Sequence, residues 1–473
     1  MARPSIGVLC VKGAMPLYER FGGVVTDAVR KPEDVRKLDA LVIPPGNIVE
    51  SWSLSPAMVR ELRRFAEEGG VIVGVCSGLQ LLSGSIDTGV RKLSGLGMLK
   101  VEFSRLVCLD WASIRIVSST IVTRGFAGRW VRGLHIHTYG PVRWVSKPFM
   151  VSRVPKHNYF ASAVEIPSGF CNGVGNVVGY LPHLILDLYP EMRDRFLEEL
   201  GAKDVDEVLR RNEKLVRELS SELGFVNGTR VPTRRGVALG KVLAVVSGST
   251  GEGKTFITTG LAGLARIKGF RVGVAKLGGD IRDLHPAMYI ARISLDPAMG
   301  IAIRGRRYVY GWRSWRRSIA SMVLKHDLLL VEGVMGLLTG SFRSCGCETP
   351  CSTLELLKCS KMPSLLVVSC GSGGIEDAVE RAKLYVGIMR EHGIPIVGIV
   401  LNEFYGDERD EEIARRKLDP IDVFFVRRAP LSRASVPEVD LDIDEFSRAA
   451  LEAASRYIDL DRILERVPSW IPV

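Results

Sequence analysis

The sequence predicts an α/β protein built of two doubly wound domains. Two observations carry this reading: strand–helix–strand alternation begins twice, near residue 5 and again near residue 241, and in each series a glycine-rich turn joins an apolar strand to a helix. Length agrees, since 473 residues correspond to roughly two to four domains, each able to bury its own core. With 46% hydrophobic and 25% charged residues the chain is neither fibrous nor disordered. No apolar run approaches the roughly 20 residues of a membrane-spanning helix, so no membrane partner is expected. Met1-Ala2-Arg3-Pro4 leads straight into a strand-like segment, so no signal peptide is read. Nine cysteines, an odd count, point to a reduced protein of the cytoplasm. A net charge of +11 suits a polyanionic partner.

In the first series, residues 55–68 read as a helix. Ser55 caps it, Pro56 fits its first turn, Gly69-Gly70 stops it, and Val59, Leu62, Phe65 and Ala66 share one face. The run 71–75 follows as a buried parallel strand. At its end, Gly74-Val75-Cys76-Ser77-Gly78 has the form of a nucleophile elbow, with small neighbours that permit a strained turn and a helix N-terminus that favours a thiolate. A lone cysteine is more often structural, but the elbow reverses that preference. A thiol nucleophile needs a base, and His135, His137, His157 and His183 are the candidates. His183 is preferred because it closes a β segment at 175–183, while His135 and His137 alternate on one strand and face one side. Pro44-Pro45-Gly46-Asn47 follows another strand and offers the Gly46 and Asn47 N–H groups to an oxyanion. Short β segments with Gly and Pro turns fill 131–179, and a charged helical stretch occupies 190–224. The turn-rich segment 226–240 is read as the linker between domains of residues 1–225 and 241–473.

The second series predicts strands at 241–246, 270–277, 327–331, 364–368, 394–401 and 423–426. Gly248-Ser249-Thr250-Gly251-Glu252-Gly253-Lys254-Thr255 fits the phosphate-loop pattern between a strand and the helical run 256–267. Its amides would cradle phosphates, Lys254 would reach the β and γ phosphates of ATP, and the Thr255 hydroxyl would meet Mg²⁺. Asp280 and Glu332, each following a strand, are the carboxylates expected to complete the metal's surroundings. The segment 304–317 interleaves six arginines, among them Arg304, Arg306 and Arg307, with Tyr308, Tyr310, Trp312 and Trp315. It suits a flat polyanion, or else a solvated helix with half-buried aromatics. No nucleic-acid motif accompanies it, so nucleic acid is disfavoured. Cys345, Cys347, Cys351 and Cys359 form a dense cluster whose spacing matches no standard metal pattern; a four-cysteine metal site, a local disulfide and plain loop cysteines are all open.

Together these motifs resemble a known pairing. The Cys76 elbow, Gly95-Leu96-Gly97-Met98-Leu99, Gly133-Leu134-His135-Ile136-His137 and the segment ending in His183 resemble the glutamine amidotransferase domain of cobyrinic acid a,c-diamide synthases and cobyric acid synthases. The second half resembles the ATP-binding domain of the former, which is dethiobiotin-synthetase-like. Lys276-Leu277-Gly278-Gly279-Asp280-Ile281-Arg282-Asp283 is similar to its lysine-glycine-aspartate segment, and Glu332-Gly333-Val334-Met335-Gly336-Leu337 to its glutamate-glycine motif. The resemblance implies a flavodoxin-like class I glutamine amidotransferase domain followed by a P-loop NTPase domain, the reverse of the family's usual order. It implies an ATP- and glutamine-dependent amidation of carboxylates on a corrinoid or related tetrapyrrole, with Cys76 and His183 as the glutaminase pair. Thr255, Asp280 and Glu332 would serve Mg²⁺ and phosphate, and Lys276, Asp283, Arg304, Arg306 and Arg307 the polycarboxylate substrate. A homodimer is left open. Three departures stand out: Thr339-Gly340 where the family has Asp-Gly, Ser369 where it has an aspartate, and Ile185 where a triad glutamate would follow His183. The pair is therefore expected to lack a third member. Amidation of an unrelated acid, or a regulatory ATPase with a non-catalytic amidotransferase domain, are the alternatives.

Overall fold

The computed structural model describes residues 3–47, 53–225, 229–232, 240–306, 308–371, 373–431 and 441–470. Its contacts divide the chain into two units, Met1–Thr229 with Val436–Ile443 and Arg230–Ser435 with Asp444–Val473. The expected linker falls largely outside the described residues, as does Arg307. Among the described residues no helix is long and apolar enough to cross a membrane.

The first unit is organised on a nine-stranded sheet. Its strands Asp27–Val29, Ile6–Leu9, Ala40–Ile43, Val71–Val75 and Val177–Tyr180 pair in parallel. These are the apolar runs that bury both faces: Ile6, Leu41, Ile72, Val75 and Val178 have no exposed surface. From Val177–Tyr180 outward the sheet turns antiparallel, through Val164–Cys171, Lys147–Val154, Trp111–Ile116 and Trp130–Leu134. The expected α/β fold is present, with antiparallel strands extending its parallel half. The short Gly- and Pro-punctuated segments have no crossover helices between them, and without crossovers successive strands pair antiparallel. The expected helix is present as Pro56–Glu67, with Ser55 Oγ accepting the Met58 N–H at 3.2 Å. It buries Met58, Leu62 and Phe65, a contribution of about 1.5–3 kcal/mol for each large apolar side chain.

The second unit holds a seven-stranded, wholly parallel sheet in the order Gly300–Ile301, Val272–Leu277, Leu328–Glu332, Lys241–Ser247, Ser364–Ser369, Ile396–Phe404, Val423–Arg427. The chain leaves the central strand Lys241–Ser247 to one side and later returns to the other. This reversal opens a crevice at the carboxyl ends of the strands, the usual ligand position in such sheets. Register aligns Val245 with Glu332 and Glu332 with Lys276, so the Glu332 and Lys276 side chains meet near the carboxyl ends of neighbouring strands.

Candidate active site

In the first unit Cys76 leaves the strand Val71–Val75 with φ 52° and ψ −108° and caps the helix Ser77–Leu82. Such a backbone stores about 1–3 kcal/mol of strain and persists because its surroundings over-determine it. Two glycines are the local reason it can form. A Cβ on Gly74 would lie 2.7 Å from the Gly78 carbonyl carbon, and one on Gly78 would lie 2.2 Å from the Ile43 oxygen. Gly78→Ala is accordingly expected to cost about 1–3 kcal/mol of stability through overpacking, seen as a lowered midpoint of thermal unfolding. The Cys76 N–H donates to the Tyr180 carbonyl at 2.8 Å, and Sγ lies 3.6 Å from the Ile136 oxygen.

Because Val75 is paired with Tyr180, the residues just past each strand emerge at the same sheet edge. His183 is one of them. Its N–H donates to the Leu134 carbonyl at 2.7 Å, which fixes the backbone, and its ring is buried 4.9 Å from that of Tyr18. Nδ1 lies 3.4 Å from Oε2 of Glu19, a buried carboxyl that also accepts the Leu184 N–H at 2.8 Å. Ile185 is fully buried and offers no acid, whereas Glu19, from a distant loop, places its carboxyl next to the ring, with no hydrogen bond to His183 Nδ1 among the described residues. Sequence reasoning missed Glu19 because nothing local marks it.

Burial pushes the Glu19 carboxyl up to about 8, against the Leu184 N–H, and pushes His183 down to about 3. At neutral pH the imidazole is neutral, the form that can accept a proton from the thiol. The sign of the linkage follows. A carboxyl whose folded pKa is raised stays protonated in the fold after the unfolded chain has ionised, so stability falls as pH rises from about 4.5 to about 8. Wild type should lose about 1.4 kcal/mol per pH unit relative to Glu19→Gln across that interval, measured as urea-unfolding midpoints against pH.

The remaining histidines separate. His157 hydrogen-bonds the Ser162 oxygen at 2.8 Å on an exposed turn. His135 and His137 are buried and share a 3.0 Å contact between Nδ1 and Nε2. His135 Nε2 continues to Ser152 Oγ at 2.9 Å, and Ser152 donates to Ser168 Oγ at 2.6 Å. Burial, with His137 and His183 nearby, holds His135 well below its usual range. Of the two oxyanion candidates one changes. The Asn47 N–H donates to the Gly13 carbonyl at 2.8 Å and so is withdrawn from that role, leaving Gly46, whose φ of 149° requires glycine.

In the second unit the helix Lys254–Ile267 opens directly from the phosphate loop, with Gly253 in the left-handed region as its cap. Lys254 Nζ donates to Ser247 Oγ at 2.7 Å, the Ser249 oxygen at 3.3 Å and the Met335 oxygen at 2.7 Å. Thr255 Oγ1 donates to Glu332 Oε1 at 3.0 Å, and Lys276 Nζ bridges Glu332 Oε1, at 2.8 Å, and Asp283. Burial lowers the Lys254 ammonium, while Glu332 and Asp283 outweigh burial and hold Lys276 well above its usual value. Glu332 Oε2 is buried without a hydrogen-bond partner among the described residues. An orphaned carboxylate oxygen beside the Thr255 hydroxyl fits a hard divalent cation. Asp280 does not join them. Arg282 Nε and Nη2 take its two oxygens at 2.8 and 2.6 Å; the carboxylate that reaches the cluster is Asp283, first expected on the substrate.

Glu252 fastens the loop. Its carboxylate accepts from Ser249 Oγ at 2.7 Å, Arg381 at 2.6 Å and the Ser369 amide. The comparisons bear on both halves. A family model for the CobB/CobQ-like glutamine amidotransferase domain matches residues 15–187, and one for the CobQ/CobB/MinD/ParA nucleotide binding domain matches residues 243–436. The chain carries a CobB/CobQ-like glutamine amidotransferase domain and a CobQ/CobB/MinD/ParA nucleotide binding domain. It carries the amidotransferase domain first. The cobyrinate a,c-diamide synthase of Syntrophotalea carbinolica is 29% identical over 243 residues, 48% of this chain and 50% of that protein. The hydrogenobyrinate a,c-diamide synthase of Brucella anthropi is 27% identical over 47% of this chain and 50% of that protein. The pyridoxal 5′-phosphate synthase subunit PdxT of Listeria welshimeri is 38% identical over 97 residues, 19% of this chain and half of that protein. The chain thus spans about half the length of the curated relatives it matches.

Four features of this CobB/CobQ-like chain depart from the expected pattern in structural terms. Thr339 closes a turn, its N–H donating to the Gly336 oxygen at 3.0 Å. Ser369 donates through Oγ to Glu403 Oε2 at 2.6 Å, so a carboxylate from the neighbouring strand stands beside the missing aspartate. Cys347 and Cys359 are joined in a disulfide, which overturns both a four-cysteine metal site and a fully reduced chain. The arginine-rich segment is no single helix: Ile303–Arg304 pairs with Val309–Tyr310, and a helix begins at Trp315. Arg304 and Arg306 are exposed, whereas Trp315 is core.

Proposed function

We propose that this chain is an ATP- and glutamine-dependent amide ligase acting on side-chain carboxylates of a corrinoid or related tetrapyrrole. The observation that carries the reading is the strained Cys76 and a buried His183, with Glu19 next to it, past paired strand ends of one sheet, on a chain that also holds Lys254, Thr255 and Glu332 around a phosphate loop.

Cys76 Sγ attacks the side-chain carbonyl of glutamine while His183 takes its proton and returns it to the departing ammonia. The Gly46 N–H, with the amide of the residue after the nucleophile, holds the oxyanion. Glu19, 3.4 Å from Nδ1, holds the imidazole in place. In the second unit the phosphate-loop amides and Lys254 hold the triphosphate, and Lys254 follows the γ-phosphoryl as it moves to the substrate carboxylate. Ammonia then displaces phosphate from the acyl phosphate. Thr255 and Glu332 would hold Mg²⁺, which would neutralise phosphate charge. Arg304 and Arg306, exposed on their hairpin, suit the substrate's carboxylates.

A regulatory reading draws on Thr339 and Ser369, but the Glu403 carboxylate at Ser369 weakens it. The deciding experiment incubates the protein with Mg-ATP, glutamine and a panel of carboxylated corrinoids and sirohydrochlorins, followed by mass spectrometry. Acid-to-amide products are expected. Glutamine hydrolysis without amide would point to another acid, and neither activity to the regulatory reading.

A further inference from the structure

With Cys347 and Cys359 joined, two thiols of the loop that follows the Glu332 motif remain. The sulfurs of Cys345 and Cys351 and a carboxylate oxygen of Glu355 all lie within 4.8 Å of one another. Glu355 is held in place by its surroundings. Oε1 accepts the amides of Cys345 and Gly346 at 2.8 and 3.0 Å, and Oε2 accepts the amide of Cys351 at 2.7 Å. Cys351 Sγ lies 3.1 Å from Glu355 Oε2 and 3.0 Å from the main-chain oxygen of Arg343. A thiol carries one proton and can satisfy one of these oxygens. The other approach sets two lone-pair-bearing atoms against each other, which a cation in their midst would relieve.

We infer that Cys345, Cys351 and Glu355 form a zinc site. Two thiolates select a borderline-soft divalent ion over Mg²⁺, and a carboxylate oxygen completes three protein ligands. The Arg343 carbonyl or a water fills the fourth position. Binding displaces one proton from each thiol to solvent, and loss of the Cys351 proton frees the lone pair of the oxygen it occupied. The amides around Glu355 act as an outer shell that aims the carboxylate. Metal here would brace the loop whose Pro350 oxygen accepts the Arg304 N–H at 2.8 Å and whose Cys347 oxygen accepts Trp315 Nε1 at 2.6 Å. The site is independent of the ligase reading, since its test reads metal rather than turnover.

The full chain, disulfide intact and handled under nitrogen, is titrated with Zn²⁺ and separately with Co²⁺. One zinc per chain by native mass spectrometry and a thiolate-to-cobalt charge-transfer band are expected. The pair Cys345→Ser with Cys351→Ser should abolish both signals, Cys347→Ser with Cys359→Ser should keep them, and Glu355→Gln should weaken binding about tenfold or more. Where the double variant fails to fold, Cys345→Ser alone should weaken cobalt binding with native circular dichroism. No stoichiometric metal on folded wild type, metal retained by a folded variant lacking Cys345 or both thiols, or a disulfide between Cys345 and Cys351 in the nitrogen-handled protein would overturn the site.

Discussion

Cys76→Ala is expected to lower glutamine-supported amide formation at least about a thousandfold, while amidation supplied with ammonium salts survives. The argument is local. Cys76 is the residue at φ 52° on the elbow, so its sulfur is presented at a helix N-terminus and replacement by alanine removes the nucleophile. Alanine meets the same backbone strain and fills less space, so the fold should persist and the loss should appear in turnover. Ammonia enters downstream of this chemistry and bypasses it. Glutamine hydrolysis is read as glutamate released, and amide formation by mass spectrometry with each nitrogen source in turn. Unchanged glutamine-supported turnover in Cys76→Ala would remove the thiol from the reaction and return it to a structural role. Glu19→Gln should sit between the two extremes. It keeps Cys76 and His183 but exchanges the acid that orients the ring, so its kcat with glutamine should fall while the ammonium-supported rate is unaltered.

What could be read from residues alone was what adjacent residues encode. The elbow, the phosphate loop and the helix after Ser55 depend on small residues, caps and apolar runs a few positions apart, and each lies where its pattern indicated. Glu19 could not be found that way, because its partners His183 and Leu184 reach it only through the sheet. The exchange between Asp280 and Asp283 had a different origin. Both sit in one motif at strand-end spacing, and the choice is made by Arg282, which folds back on Asp280 and occupies both oxygens. Cysteine pairing was equally out of reach, since spacing does not fix connectivity. The antiparallel half of the first sheet was legible as β-rich but not in its direction, which depends on which strands lack a crossover.

Lys254→Ala should reduce ATP-dependent product about a hundred- to a thousandfold, with glutamine hydrolysis by Cys76 as the chemistry left untouched. Nζ now meets three oxygens, those of Ser247, Ser249 and Met335. Burial lowers its pKa while Glu332 pulls the other way. Phosphate oxygens can replace those partners at little reorganisation, since the donor is already desolvated and aimed along the loop. Removing it leaves the developing charge on the transferred phosphoryl without its nearest fixed cation, as Lys276 is committed to Glu332 and Asp283. Lys254→Arg should fail as well, because a planar fork cannot be accommodated where a single nitrogen meets three converging oxygens. ADP release with the panel of acids reads the effect directly. A Lys254→Ala variant with wild-type ADP release would contradict the assignment of the γ-phosphate to this loop, whereas loss in both variants with unchanged glutamate release would separate the two chemistries on one chain.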